Sequence, residues 1–370
     1  MNKLIFLFLS ISSLLSFSQS KDVVGANIDP TAKPGDDFFK YANGGWIKQN
    51  PIPAAYSQWG IGNLVQEDVW MKLKAINEKA LISSSGDENT RKIRYFYFTA
   101  MDTLLIEKVK LTPITAELSM INSIQDIKGL IKVITSLHSA GIPVAFDLGV
   151  YQDMKNSEVN ALYLSQGGLG LPNRDYYFNK DARTVKIVTD YKARHLLRML
   201  GYVNPAFQNG AAGVYSLEKM LAEKSRKLED LRDPYANYNK MSVADLNKLT
   251  PKMNWNTVFA QLNIKTDSVI VGQPEFFTQL NTALSKIPLA TWKNYLRFHV
   301  ISSYADYLYK KVDKEDFRFY STVLRGKKEQ LPRWKRALIW EEGAMAKIKY
   351  GYKEGGLSGQ MERFFCLEAK

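Results

Sequence analysis

The sequence predicts a mainly α-helical protein with one small β-hairpin near residues 144–166. Three observations lead there. Segment after segment repeats its apolar residues at helical spacing and opens on a capping Asp, Ser, Asn or Pro. Only two stretches, Val144 to Tyr151 and Val159 to Gln166, read as convincing strands. A chain of 370 residues with 45% hydrophobic content supplies a sizeable core, and no fixed-period repeat or low-complexity linker interrupts it.

The first segment stands apart from the fold. Lys3 precedes a short apolar run, Leu4 to Phe17, diluted with serine and followed by small residues. The run is shorter than the roughly 20 residues a spanning helix needs. Residues 1–20 therefore read as a cleaved secretory signal, with an uncleaved anchor as the alternative. The expected location is exported, periplasmic or extracellular. The single cysteine, Cys366, allows no intramolecular disulfide. Formal net charge is +13, densest between Lys310 and Arg336. With an export signal in front, that run reads as a solvated basic face, and no nucleic-acid partner is expected. Beyond the signal, no stretch is apolar enough to span a membrane.

Pro34-Gly35 turns the chain, and Asp36 or Asp37 caps a short helix through Phe38, Phe39 and Tyr41. Gly44-Gly45 is expected to end it, with Trp46 and Ile47 then buried. Leu64 to Ile82 and Glu88 to Lys110 read as long helices. Thr112-Pro113 starts another. Asp126 caps the next, where Ile127, Leu130, Ile131, Ile134 and Leu137 follow the helical pattern. The hairpin comes next, with its loop at Met154 to Glu158.

Its second strand runs into Leu164 to Phe178. There Gly167, Gly168 and Gly170 permit backbone angles closed to other residues. Pro172 pushes Leu171 out of helix. Asn173, Arg174 and Asp175 turn the chain, and Tyr176, Tyr177 and Phe178 anchor it. This is a strand-to-helix corner. A phosphate loop would need a spacing the glycines do not have. Helices resume over Ala182 to Leu200, Ala206 to about Leu231, from Ser242, from Asn254-Trp255, and over Pro274 to Ile287, Pro288 to Val312 and Pro332 to Tyr350. Asp267 to Val271 is a brief extended piece.

No catalytic constellation stands out. His138, His195 and His299 are the three histidines, and His-Glu-x-x-His occurs nowhere. Each reads as a satisfied histidine on an apolar face. Cys366 has no histidine near it. Gly356-Leu-Ser-Gly-Gln360 lacks the second glycine of a nucleophile elbow. Asp36 and Asp37 read as a cap, and no pair among the 37 acidic residues is singled out.

A set of motifs says more. Pro34-Gly-Asp-Asp37-Phe38-Phe-Lys-Tyr41-Ala-Asn-Gly44-Gly45-Trp46, then Asn50-Pro-Ile-Pro53 and Trp59-Gly60, resembles the opening of the neprilysin and endothelin-converting-enzyme family of zinc metallopeptidases. Phe96-Tyr97, Met101-Asp102 and Gln166-Gly-Gly168-Leu169-Gly170-Leu171-Pro172-Asn-Arg174-Asp175-Tyr176-Tyr177 follow in the family's order. So do Arg232-Asp-Pro234, Tyr238 to Met241, Trp292 to Leu296, Phe317 to Tyr320 and Arg333 to Lys335. The resemblance runs from Asp29 to Trp340, within a domain read as 21–342. Residues 343–370 read as a divergent tail.

The resemblance implies a helical lobe that caps a central cavity above a zinc lobe. In full-length members zinc is held by His-Glu-x-x-His and a downstream Glu. Those residues are not in this sequence, so no catalytic residue, no metal ligand and no cofactor is expected in this chain. Its expected partners are peptide substrates or a catalytic domain lying outside it. Gln58 and Gln66 stand where some animal members place substrate-binding arginines, and Asn43 where they place a disulfide cysteine. The expected function is the N-terminal, cavity-capping portion of a secreted metalloendopeptidase. The alternative is a truncated, inactive relative that binds peptides or proteins in the cell envelope.

Overall fold

The computed structural model describes residues 23–83 and 86–349. The expected signal, Cys366 and the Gly356–Gln360 segment lie outside the described residues. The chain divides into two compact units, up to Glu67 and from Asp68 onward.

The first unit contains α1 (Val23–Asn27), α2 (Phe38–Gln49) and the start of α3 (Ile61–Ile82). Asp37 caps α2, its carboxylate accepting from the Lys40 N–H at 2.9 Å. The Gly44-Gly45 pair does not end this helix, which continues to Gln49. The glycines instead allow close approach. A Cβ on Gly44 would sit 2.6 Å from the Asp29 Cβ, and one on Gly45 would sit 2.8 Å from the Ala26 carbonyl. Asp29 accepts from Thr31 and Lys48, bonds that hold its carboxyl down at about 2. Trp46 is only half-buried, and Ile47 is exposed, contrary to expectation. Both lie on α2, past the face that the glycines press against Asp29.

In the second unit α4 (Glu88–Met101) is shorter than the expected helix to Lys110. Asp102 interrupts it. Its carboxylate accepts from the Leu105 N–H at 2.9 Å and caps a new helix, α5 (Thr103–Val109). Then come α6 (Thr115–Asn122) and α7 (Ile127–Ser139), the latter capped by Asp126 as expected. The hairpin forms from β1 (Phe146–Asp153) and β2 (Asn156–Gln166), in antiparallel register Phe146↔Gln166 and Leu148↔Leu164. Two short strands extend it. β3 (Asn239–Ser242) pairs antiparallel with β4 (Ser268–Val271), and β4 lies parallel to β2, giving the order β1-β2-β4-β3. β4 falls in the expected extended piece. β3 has four residues and no alternation to announce it.

The helix from Ala182 is continuous in path but not in type. α8 (Ala182–Asp190) passes through a π-turn, Tyr191–His195, into α9 (Leu196–Val203). α10 is Ala211–Glu223, shorter than expected at both ends. Pro205 opens a 3₁₀ segment before it, and after it the Gln166 side chain takes the Arg226 N–H at 2.6 Å. The remaining helices are α11 (Val243–Leu249), α12 (Trp255–Gln261), α13 (Pro274–Lys286), α14 (Leu289–Ser303), α15 (Lys310–Asp316) and α16 (Arg333–Lys349). The expected Pro288–Val312 helix stops at Ser303, where a 3₁₀ turn, Ala305–Tyr307, intervenes. A second π-turn, Phe317–Val323, follows α15.

One core joins the sheet to α6–α14, with Trp255, Trp292, Tyr191, Tyr295, Phe276 and Phe298 fully buried in it. Such rings each remove about 150–250 Å² from water and dominate core energetics. The basic run is not wholly a solvated face. Arg336 makes a forked pair with Asp313 at 2.7 and 2.9 Å, and Arg333 Nε donates to the Ala100 carbonyl. Arginine's planar fork suits such inward positions better than lysine's point charge.

Candidate functional site

The glycine corner is tied by hydrogen bonds to several distant segments of the second unit. Gly168 has φ +73°, and a Cβ there would lie 2.6 Å from the Ala145 nitrogen. The Tyr295 hydroxyl ties the two segments together. It accepts from the Ala145 N–H at 2.9 Å and donates to the Gly168 carbonyl at 2.7 Å. The Tyr320 hydroxyl donates to the Gly170 carbonyl at 2.8 Å. Leu171, buried, donates its N–H to the Tyr177 hydroxyl at 3.2 Å. Leu169 is half-buried and Pro172 exposed. Asn173 caps the 3₁₀ turn Arg174–Tyr177. Arg174 reaches the Ala222 carbonyl and pairs with Asp175, while Tyr176 stays at the surface edge.

Beneath the corner lies Glu218 of α10, wholly buried. Its two oxygens accept from the Tyr191 hydroxyl at 2.9–3.0 Å, and one also accepts from Tyr177 at 3.0 Å. His299 Nε2 stands 3.4 Å away and is not aligned as a hydrogen bond. Burial, reinforced by the Glu218 charge, pushes the Tyr177 and Tyr191 hydroxyls well above the usual range, so both remain donors. A buried carboxylate is costly unless it is bonded this way.

A second network joins the two π-turns. Glu315 accepts from Arg198 at 2.6 Å and from Arg318 at 2.7–3.1 Å, and His195 Nδ1 lies 3.3 Å from it. Arg318 also reaches Asp190 at 2.7 Å. Burial alone would raise the Glu315 pKa, but the bonds from His195, Arg318 and Arg198 hold it down at about 2. Burial pushes His195 the other way, below its ordinary value. The His195 ring stacks on Phe319, 4.5 Å between centres. The π-turns thus place His195 beside Glu315 and Arg318 beside Asp190 across the interface.

Both networks are buried. Their carboxylates are bonded by neighbouring side chains, the Nε2 atoms of His195 and His299 have no hydrogen-bond partner, and Glu218 has no exposure through which a substrate could reach it. The corner is a structural hub whose order along the chain identifies the scaffold. The N-terminal model of peptidase family M13 matches residues 34–348, which contain both the Asp37–Trp46 motif and the corner. The chain belongs to peptidase family M13. It is 30% identical over 329 residues to endothelin-converting enzyme 1 of Mus musculus, covering 84% of this chain and 42% of that protein. It is 28% identical over 380 residues to human neprilysin, covering 90% of this chain and 48% of that protein. The M13 chain described here thus spans less than half the length of these relatives. A solved structure of the Mycobacterium tuberculosis zinc metalloprotease Zmp1 with an inhibitor shares its fold, with TM-score 0.80 at 24% identity, over 89% of this chain and 51% of that one.

The donor set of the described residues does not fit a zinc ion. His138 bonds the Val144 carbonyl at 3.0 Å, and burial lowers its pKa to about 4. His195 faces a carboxylate already taken by two arginines, and His299 one taken by two tyrosines. Among the described residues no three His, Cys, Asp or Glu side chains gather as a metal site. No described helix is long and apolar enough to cross a membrane.

The structure places the Asp37, Phe38, Tyr41, Gly44, Gly45 and Trp46 motif in the first unit and the Gly168–Tyr177 motif in the second. Reading the residues misses Glu218, Glu315 and the tyrosines Tyr191, Tyr295 and Tyr320. One signal was available for the first. Glu218 sits among Ala211, Val214, Leu217, Leu221 and Ala222, the apolar stripe of α10, and so had to be buried.

Proposed function

We propose that this chain forms the helical, cavity-capping part of a zinc metalloendopeptidase acting on small peptides. In this reading the zinc and the cutting groups belong to a catalytic lobe other than the residues described here. The chain itself selects substrates sterically and carries no catalytic zinc site. Its partners are that lobe and peptide substrates. The signal-like residues 1–20 support export.

The observation that carries the reading is apolar surface left open on α3, α4, α5 and α16. Met71, Ile76, Tyr95, Phe98, Leu104 and Ile339 are all exposed, Phe98 by 61% and Leu104 by 84%. Three of these helices pack on one another. Asn77 of α3 bonds Glu341 of α16 at 2.8 Å, and Arg333 of α16 bonds Ala100 of α4. Their buried residues, Trp70, Phe96, Tyr97, Leu338 and Trp340, lie outside the main core. Large apolar side chains outside on helices with little core of their own mark a surface built to be covered. The absence of His-Glu-x-x-His from the sequence agrees with a division of labour.

The test is metal analysis and peptide hydrolysis on the purified chain. The expected result is zinc far below one equivalent and no chelator-sensitive cleavage of a quenched peptide library. Stoichiometric zinc with cleavage abolished by a chelator would overturn the reading.

A further inference from the structure

The contact between α3 and α16 holds two buried acceptors that no other group satisfies among the described residues. The Asn77 amide of α3 donates to the Leu73 carbonyl at 3.1 Å and to Glu341 Oε2 of α16 at 2.8 Å. The second oxygen of each group, Asn77 Oδ1 and Glu341 Oε1, is buried without a hydrogen-bond partner. Asn77 is 2% exposed and Glu341 8%. A carboxylate oxygen and an amide oxygen are both acceptors, so neither satisfies the other while Glu341 is ionised. One proton on Glu341 Oε1 changes this. The carboxyl group then donates to the amide oxygen while it accepts from the amide nitrogen, a two-bond pairing for which an acid and an amide are complementary.

No cation offsets the charge instead. Among the described residues no Lys, Arg or His forms an ion pair with Glu341, and those on the helices packed around it are engaged elsewhere. Lys74 of α3 pairs with Glu78 at 3.5 Å. Arg94 of α4 donates to the Ser83 carbonyl. On α16 itself Arg333 turns to the Ala100 carbonyl, Arg336 to Asp313, and Lys335 lies over the Trp70 and Trp334 rings. Tyr97 of α4, 3% exposed, feels the Glu341 charge. Burial, with the Glu78 and Glu341 charges, raises its hydroxyl above the ordinary range, so it stays neutral and offers no compensation. The Glu341 carboxyl is pushed up to about 7, chiefly by burial. A buried carboxylate without a cation is costly, and taking up a proton removes that cost.

We propose that Asn77 and Glu341 form a proton-operated latch: neutral Glu341 closes α16 onto α3, and ionised Glu341 releases it. The chemical change is one proton exchanged with solvent at Glu341 Oε1. A glutamate is ordinarily near 4.5, so the latch is fully closed below that pH and is lost as pH rises through about 7. Its place gives it a use. Ile76, next to Asn77, and Ile339, just before Glu341, are 54% and 41% exposed and belong to the apolar surface described above. Release of α16 parts them, so that surface is whole only below neutral pH. This use rests on the peptidase reading; the latch itself does not.

The experiment is hydrogen exchange of the full chain at about pH 6 and pH 8, read by mass spectrometry on peptides from α16 and α9 and corrected for the intrinsic rate. Protection of α16 is expected to fall about 10-fold between the two, because each pH unit up to the folded pKa weakens the latch about 10-fold. Protection of α9, which the latch does not touch, should stay level. In Glu341→Gln an amide hydrogen stands in for the carboxyl proton, so α16 should keep its protection at both pH values. A neutral-carboxyl band in the infrared spectrum should fade over the same range in the parent chain and be missing from Glu341→Gln. Equal protection of α16 at both pH values in the parent overturns the latch. So does the same fall in Glu341→Gln, failure of that variant to fold, an equal fall in α9, or an infrared band that the substitution leaves in place. None of these readouts involves metal content or peptide cleavage, so the latch and the peptidase reading fail separately.

Discussion

Replacing Gly168 by alanine should be among the most damaging single-methyl changes in this protein, and the structure supplies its own control. Gly168 and Gly326 share φ +73°, but only Gly168 is crowded. A Cβ on Gly326 meets nothing within 4 Å, so Gly326→Ala measures the left-handed backbone penalty alone, about 1–2 kcal/mol. A Cβ on Gly168 would lie 2.6 and 2.7 Å from backbone atoms of Ala145, which cannot rotate aside as a side chain could. That overpacking adds about 1–3 kcal/mol. It also displaces the Tyr295 hydroxyl from the two backbone groups it joins, each bond being worth about 0.5–1.5 kcal/mol. The expected loss for Gly168→Ala is therefore about 3–8 kcal/mol, at least twice that of Gly326→Ala. Urea unfolding followed by circular dichroism measures both, with m-values checked for equality. If Gly168→Ala loses no more than Gly326→Ala, the corner is plastic and the close approach to Ala145 constrains nothing.

Three further outcomes follow from the buried carboxylates. Glu218→Ala should cost about 3–5 kcal/mol, because two buried tyrosine hydroxyls lose their acceptor, and Glu218→Gln, which keeps the volume and one carbonyl acceptor, should recover part of it; equal losses in thermal unfolding would mean that an acceptor of the same size restores nothing and would count against the hydrogen-bond reading. Glu315, ordinarily near 4.5, is held at about 2 in the folded chain, so its contribution is present above pH 4.5 and lost as pH falls towards 2. Urea midpoints between pH 5 and pH 3 should fall more steeply for the parent chain than for Glu315→Gln, and parallel slopes would count against the network. Glu341 runs the opposite way: burial, only partly offset by its bond from Asn77, raises its pKa to about 7, so the stability it permits is full below pH 4.5 and lost as pH rises through 7. Glu341→Gln should therefore gain about 1–3 kcal/mol at pH 8 relative to its effect at pH 4.5, and a gain independent of pH would refute the assignment.

Much of the helical layout could be read from the residues, for a physical reason. Caps act within one turn of the chain. Asp37, Asp126, Ser242 and Asn254 each bond a backbone N–H three residues on, and all four could be placed in advance. What escaped was decided by distant partners. The π-turns at Tyr191–His195 and Phe317–Val323 have no local signature, since the contacts they align, His195 with Glu315 and Arg318 with Asp190, join segments distant in the chain. The Gly44-Gly45 pair looked like a stop, because glycine commonly ends helices. Here the same lack of a side chain admits Asp29, a contact no local pattern encodes. At Asp102 the opposite error occurred. The apolar periodicity runs through it, but a carboxylate able to cap Leu105 competes with continuation of the helix.

The hub and the open surfaces divide the protein's work between them. A carboxylate that is to bind or transform a ligand must leave some hydrogen-bonding capacity open to it. Glu218 and Glu315 present none to solvent, because both are buried, the first bonded by two tyrosines and the second by two arginines. What they secure is position. Glu218 fixes the Tyr177 ring from behind, and that ring stacks on Tyr215. Glu315 locks α9 to α15 through Arg198. The chemistry still unspent lies in uncovered apolar side chains on α3, α4, α5 and α16. Those are groups whose favourable interactions require a second molecule, so the function of this unit is to be sought where its own bonding is incomplete.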